Sequence, residues 1–202
     1  MKTLPNIVLL IATLALPFSV QAAKNILVFG DSLSAGYGIA RDDSWATLLQ
    51  RELKKDHPQF DVVNASISGE TTSGGLRRIG KALQEHHPDV VILELGANDG
   101  LRGGSVSQTE KNLDRIIRQV QQANAKVLLL GIQLPPNYGP DYTRSFREMY
   151  PMLARKHKTA LVPFMLEGVP PEQFQADNLH PNAVAQPRIM HLIMQALLPL
   201  LR

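Results

Sequence analysis

The chain has 202 residues, 44% apolar and 19% charged, the composition of one ordinary folded domain and not of a disordered or fibrous protein. A net charge of +3 comes from Lys and Arg scattered among acids, as at Lys54-Lys55, Arg77-Arg78 and Arg155-Lys156, and not from a clustered stripe that would track nucleic acid. Zero Cys excludes disulfides, thiol nucleophiles and thiolate metal sites.

The first element is a leader. Lys2 precedes an apolar run from Ile7 to Leu16, Pro17 ends it, and Val20-Gln21-Ala22 supplies the residues of a cleavage site. The run falls short of the roughly 20 apolar residues a spanning helix needs, so residues 1–22 read as a secretory signal peptide and not as a membrane anchor. Lys2 is its only charged side chain, and removal leaves +2. Residues 23–202 then form one exported domain, without linker, repeat or low-complexity tract.

Five short β-branched apolar runs follow: Ile26–Phe29, Phe60–Val63, Val90–Leu95, Val127–Ile132 and Ala160–Phe164. Helical spacing lies between them. Trp45, Leu48, Leu49 and Leu53 share one face, as do Leu113, Ile116, Ile117 and Val120. Leu76, Ile79 and Leu83 mark another helix, and Leu192 to Leu200 a C-terminal one entered through Pro181. Continuous apolar strands alternating with helices predict an α/β domain: a three-layer α/β/α sandwich with five parallel strands.

Such sheets bind ligands beyond the carboxyl ends of their strands, and the polar residues of interest follow the runs. Ser32 follows the first, Ser68-Gly69-Glu70 the second, Gly96–Gly100 the third and Gln133–Pro136 the fourth; Asp177 and His180 follow the fifth. A serine needs a base and oxyanion donors before it attacks a carbonyl. His180 suits the base, because imidazole takes and returns protons near neutrality. Asp177, three residues earlier, suits the group that orients the ring, although it equally suits a turn cap. The backbone N–H of Ser32, that of Gly69 and the side chain of Asn98 suit the oxyanion. His57, His86, His87, His157 and His191 have no such partners in sequence and read as surface or capping residues.

Two near-matches fail. Gly75-x4-Gly80-Lys81 ends on Ala82 instead of Ser or Thr and reads as helix, and Gly36-x-Gly38 meets Arg41 where a dinucleotide loop has its third glycine. No cofactor and no metal is expected.

Gly30-Asp31-Ser32-Leu33-Ser34, Gly69, Gly96-Ala97-Asn98-Asp99 and Asp177–His180 together resemble the four blocks of the SGNH, or GDSL, hydrolase family, from about Ile26 to the C-terminus. The longer stretches Gly30–Gly38, Gly96–Gly103 and His180-Pro181-Asn182 are similar to the bacterial periplasmic thioesterase/lysophospholipase/arylesterase group. The resemblance implies a flavodoxin-like sheet, with Ser32 as nucleophile, His180 as base and Asp177 as orienting acid. It also implies Ser32, Gly69 and Asn98 as the oxyanion hole. Substrates would be acyl or aryl esters, thioesters or lysophospholipids, cleaved in the periplasm or outside the cell by a monomer that neither inserts in membranes nor binds nucleic acid. The mouth is expected from Leu101–Val106, Leu134–Tyr142 and Val169–Phe174, with Leu101, Arg102, Gly103, Leu134 and Pro135 contacting substrate and the Leu101–Gly104 stretch moving over it. The alternatives are a carbohydrate acetyl esterase of the same fold and a lipid-binding module without chemistry.

Overall fold

A computed structural model describes residues 24–202, so the expected leader lies outside the described residues. In chain order the elements are β1 (Lys24–Gly30), α1 (Ser32–Ala35), α2 (Trp45–Asp56), β2 (Phe60–Asn64), α3 (Thr72–His86), β3 (Val90–Glu94), α4 (Ala97–Leu101), α5 (Val106–Gln122), β4 (Lys126–Leu130), α6 (Pro140–His157), β5 (Ala160–Val162) and α7 (Gln186–Leu197). All strand pairs are parallel, in the order β2-β1-β3-β4-β5. This is the expected three-layer α/β/α sandwich with flavodoxin-like strand order.

The strand order reverses at β1, which pairs with β2 on one side and β3 on the other; Ile26 lies opposite both Val62 and Val90. That reversal opens a crevice beyond the ends of β1 and β3. Helices α2 and α7 pack together on one face, and α3, α5 and α6 on the other. Every residue of β3 is buried, as a central strand covered on both sides requires. Ser44, Thr71 and Ser105 cap α2, α3 and α5 by accepting backbone N–H groups of their first turns. Apolar α7 sends Ile189, Met190, Ile193 and Leu197 into the core against α2 and β5.

Three expectations need correction. The fifth strand stops at Val162 because Pro163 has no N–H for the ladder. The fourth stops at Leu130, where Gly131 passes so close to the segment after β5 that a Cβ would collide with the Pro163 carbonyl oxygen. Pro181 does not open the last helix: it bridges to Phe174, Asn182 caps a 3-10 turn, and Pro187 sits in the first turn of α7 instead. Gly75 lies inside α3, facing Phe29 and Leu95, so the near-match to a phosphate loop is helix packing.

Candidate active site

The strand β1 delivers Ser32 to the crevice as the first residue of α1. Asp31 caps this short helix, its Oδ1 accepting the Leu33 N–H at 3.0 Å, and Gly36 ends it in the left-handed region at φ 75°. The turn therefore holds the serine at the strand end by backbone geometry. Trp45 Nε1 steadies it from α2 by donating to the Leu33 carbonyl at 3.2 Å.

Beyond β5 the chain returns to the crevice through the connection from Pro163 to Ala185. Asp177 Oδ1 accepts the N–H groups of Leu179 at 2.9 Å and His180 at 3.0 Å, while its Oδ2 lies 2.6 Å from His180 Nδ1. Turn cap and ring orienter are thus the same side chain. Burial works against the Asp177 charge, but the three hydrogen bonds from His180 and Leu179 outweigh it and hold the carboxyl at about 2. An ionised carboxylate only accepts, so Nδ1 carries the ring hydrogen and neutral Nε2 is left to accept from Ser32 Oγ, 2.8 Å away. Tyr37 lies beside the imidazole, ring centroids 4.7 Å apart.

Among the described residues the backbone N–H groups of Ser32 and Gly69 donate to nothing. Gly69 adopts φ 79°, and no atom lies within 4 Å of the position a Cβ would take. Asn98, which follows β3, lines the same cavity as Ser32 and His180. Its Nδ2 donates to Asp31 Oδ2 at 3.1 Å and to the Glu70 carbonyl at 3.0 Å. Both amide hydrogens are therefore engaged, and an oxyanion would meet Asn98 by sharing or replacing one of these bonds. Glu70 is itself held by Arg78, Nε to Oε2 at 2.7 Å, with the guanidinium 3.8 Å above the Phe29 ring.

A cavity of about 380 Å³ opens beside Ser32. Leu101, Leu134 and Pro135 line it as expected. Arg102 and Gly103 do not: Arg102 reaches the Gly69 carbonyl at 3.4 Å instead, and Gly103 is an exposed turn residue at φ 68°. Tyr138 and Tyr142 donate to the carbonyls of Leu101 and Gly104 at 2.8 and 2.7 Å, which fastens that loop to the start of α6. Leu33, Ile132, Phe164, Leu166 and Leu179, all outside the expected mouth segments, complete an apolar wall. Phe164 and Leu166 had one signal, their place at the end of the fifth apolar run and just past it.

Glu94, at the end of β3, was not among the expected site residues either. Its carboxyl and that of Asp31 lie together with no exposed surface. Burial pushes Asp31 up to about 6 and, with the Asp31 charge beside it, pushes Glu94 well above the usual carboxylate range. His157 is no surface residue: its side chain is 8% exposed and Nε2 bonds Asp114 Oδ1 at 2.7 Å, where Lys156 and Arg118 also converge. That cluster joins α5 to α6 away from the crevice. No group of three potential metal ligands occurs among the described residues.

Residues 28–186 match the family described as GDSL-like Lipase/Acylhydrolase. The chain is 49% identical over 182 residues to Esterase TesA of Pseudomonas aeruginosa, covering 89% of this chain and 90% of that protein. It is 44% identical over 187 residues to thioesterase 1/protease 1/lysophospholipase L1 of Escherichia coli, covering 92% and 88%. Among solved structures, TesA superposes with a TM-score of 0.85 at 47% identity over 88% of this chain and 99% of that one. The esterase EstA of Pseudoalteromonas, inhibited by monoethylphosphonate, gives 0.83 at 38% identity, over 87% and 97%.

Proposed function

The chain belongs to the GDSL-like lipase/acylhydrolase family and is a serine hydrolase of carboxylic esters and thioesters; from that premise we propose that the reaction runs through Ser32, His180 and Asp177. One arrangement carries the reading: Ser32 Oγ, 2.8 Å from His180 Nε2, stands at an apolar cavity, with Asp177 2.6 Å behind the ring. Ser32 Oγ attacks the acyl carbon while its proton passes to Nε2, and Asp177 stabilises the imidazolium. The Ser32 and Gly69 N–H groups and Asn98 meet the oxyanion. Collapse expels the alcohol or thiol, which takes the proton from His180. Water then gives a proton to His180, attacks the acyl-enzyme carbon, and the acid leaves as Ser32 regains its hydrogen.

The apolar wall of Leu33, Ile132, Leu134, Phe164 and Leu166 favours acyl or aryl groups, lysophospholipids included, over a carbohydrate acetyl ester. Each further buried CH2 contributes about 0.8 kcal/mol, so kcat/KM should rise about fourfold per methylene until the cavity is full. A rate profile over acyl length, on paired oxygen and sulfur esters, tests this. Acetyl esters turned over fastest would support the acetyl-esterase alternative, and binding without turnover would support a lipid-binding module.

Export to the periplasm belongs to the same proposal and rests on the leader pattern from Lys2 to Ala22. Fractionation of cells making the full chain tests it, with a mature N-terminus at Ala23 as the expected product. A monomer is the simplest state for this single α/β/α domain, and sedimentation of the mature protein tests that.

A further inference from the structure

Three of the five residues from Gly30 to Ser34 converge on one side chain outside their own segment. Glu94 Oε2 accepts the Asp31 N–H at 3.1 Å and the Ser34 hydroxyl at 2.8 Å. A Cβ on Gly30 would lie 2.6 Å from that same oxygen and 2.8 Å from Ser34 Oγ. Gly30 therefore admits Glu94, and Asp31 and Ser34 bond it. None of this touches the cavity, which Glu94 does not line.

Donor counting places the charge. Both Asp31 oxygens have donors, Oδ1 from the Leu33 N–H at 3.0 Å and Oδ2 from Asn98 Nδ2 at 3.1 Å, as a carboxylate requires. Glu94 differs: Oε2 takes two donors, while buried Oε1 has no partner among the described residues. The two carboxyl groups are buried side by side, Glu94 Oε2 accepting the Asp31 N–H, and neither pairs with Lys or Arg among the described residues. The ionisable groups around them are His180 from the loop beyond β5, Tyr150 from α6 and Asp99 from α4. Asp99 is occupied elsewhere, bonding the Thr72 N–H and hydroxyl. Tyr150 donates to the Leu95 carbonyl. Two adjacent buried anions without a cation are strongly disfavoured, so the pair retains a proton. A hydrogen on Glu94 would turn its orphaned oxygen into a donor.

We propose that Glu94 is a positioning residue of the reaction: it keeps one proton, shares it with Asp31, and through Asp31 holds the Asn98 amide in place for the oxyanion. By carrying the proton, Glu94 leaves Asp31 free to stay ionised and to make a charge-assisted bond to Asn98. The Glu70 carbonyl fixes the other amide hydrogen, so the donor is oriented before substrate arrives. The proposal rests on the reading of Ser32 as nucleophile and Asn98 as oxyanion donor, and deepens it.

Infrared spectra and steady-state kinetics of the wild type, Glu94→Gln, Glu94→Ala and Ser32→Ala test it. A protonated-carboxyl carbonyl band should be present in the wild type at neutral pH and absent from Glu94→Gln. Glu94→Ala should lose about tenfold or more in kcat with KM within about twofold, because the lost contribution belongs to the transition state. Glu94→Gln, neutral and of the same shape, should keep most of the turnover. No such band, or wild-type kcat in Glu94→Ala, overturns the proposal. So does Glu94→Gln falling as far as Glu94→Ala. If Glu94→Ala does not fold, the band and the Glu94→Gln turnover decide. Turnover surviving in Ser32→Ala would instead remove the underlying reading, and the two failures are distinct.

Discussion

Gln175 Nε2 donates to the Tyr37 carbonyl at 2.8 Å, joining loops 138 residues apart in sequence. The same nitrogen reaches the Pro181 carbonyl at 3.2 Å, and the Gln175 N–H meets the His180 carbonyl at 2.8 Å. One side chain thus ties the loop carrying His180 to the turn that follows Ser32. Gln186 adds a second tie: its Oε1 accepts the Trp45 N–H at 3.0 Å and its Nε2 reaches the Asn182 carbonyl at 3.3 Å.

Replacing the first tie should misplace the base. Gln175→Ala removes two side-chain hydrogen bonds, a loss of roughly 1–3 kcal/mol in stability. Turnover should drop about tenfold or more, since small displacements of a catalytic group are costly. Urea unfolding and kcat measured on the same preparation check both. Unchanged kcat would show that the loop holds its place without Gln175.

Asp177→Asn should lower kcat at neutral pH, because Asn can present an N–H to the ring and favour the wrong tautomer. Stability follows the depressed carboxyl. Its folded value of about 2 lies below its unfolded one near 4, so the wild type gains stability that is complete above about pH 4 and fades as pH falls toward 2. The Tm difference between wild type and Asp177→Asn should therefore be larger at pH 7 than at pH 2.5. An equal difference at both would contradict the assignment.

Asn98→Ala should reduce kcat by about 100- to 1000-fold and leave KM nearly unchanged, the pattern of a lost oxyanion donor. A KM effect with constant kcat would make Asn98 a ground-state contact only.

Gly131→Ala tests the packing beneath the cavity. The added methyl would collide with the Pro163 carbonyl oxygen, and this backbone atom cannot swing away as a side chain would. A destabilisation of roughly 3 kcal/mol, the upper end for overpacking, is expected in chemical denaturation. Neutral stability would mean that the ends of β4 and β5 separate easily.

The sheet was legible because buried parallel strands must be continuously apolar, and the site because each of its residues lies in the loop that follows one such run. Ser32, Asp177 and His180 could be read from chemistry and position together. Glu94 could not, since an acid near the end of an apolar run looks like any strand end until the space left by Gly30 is seen. The His157–Asp114 pair spans 43 residues and two helices, which no local pattern records. Pro181 misled for a related reason: its ring suits a helix start, but the bridge to Phe174 claims that backbone first. Arg102 and Gly103 are expected at the substrate from loop composition and from the resemblance, but they do not line the cavity, and the Tyr138 and Tyr142 hydroxyls tie their loop to α6 and the turn before it.

The mechanism turns on covalent acylation of Ser32, which a phosphonate ester that mimics the oxyanion probes at the nucleophile itself. Intact-protein mass spectrometry of the mature wild type should show one phosphonyl group, mapped by peptide analysis to Ser32, with loss of ester hydrolysis in step with labelling. Ser32→Ala should take up no label and hydrolyse no p-nitrophenyl ester while unfolding cooperatively like the wild type. Label on another residue, or wild-type hydrolysis by a folded Ser32→Ala protein, would show that Ser32 is not the nucleophile.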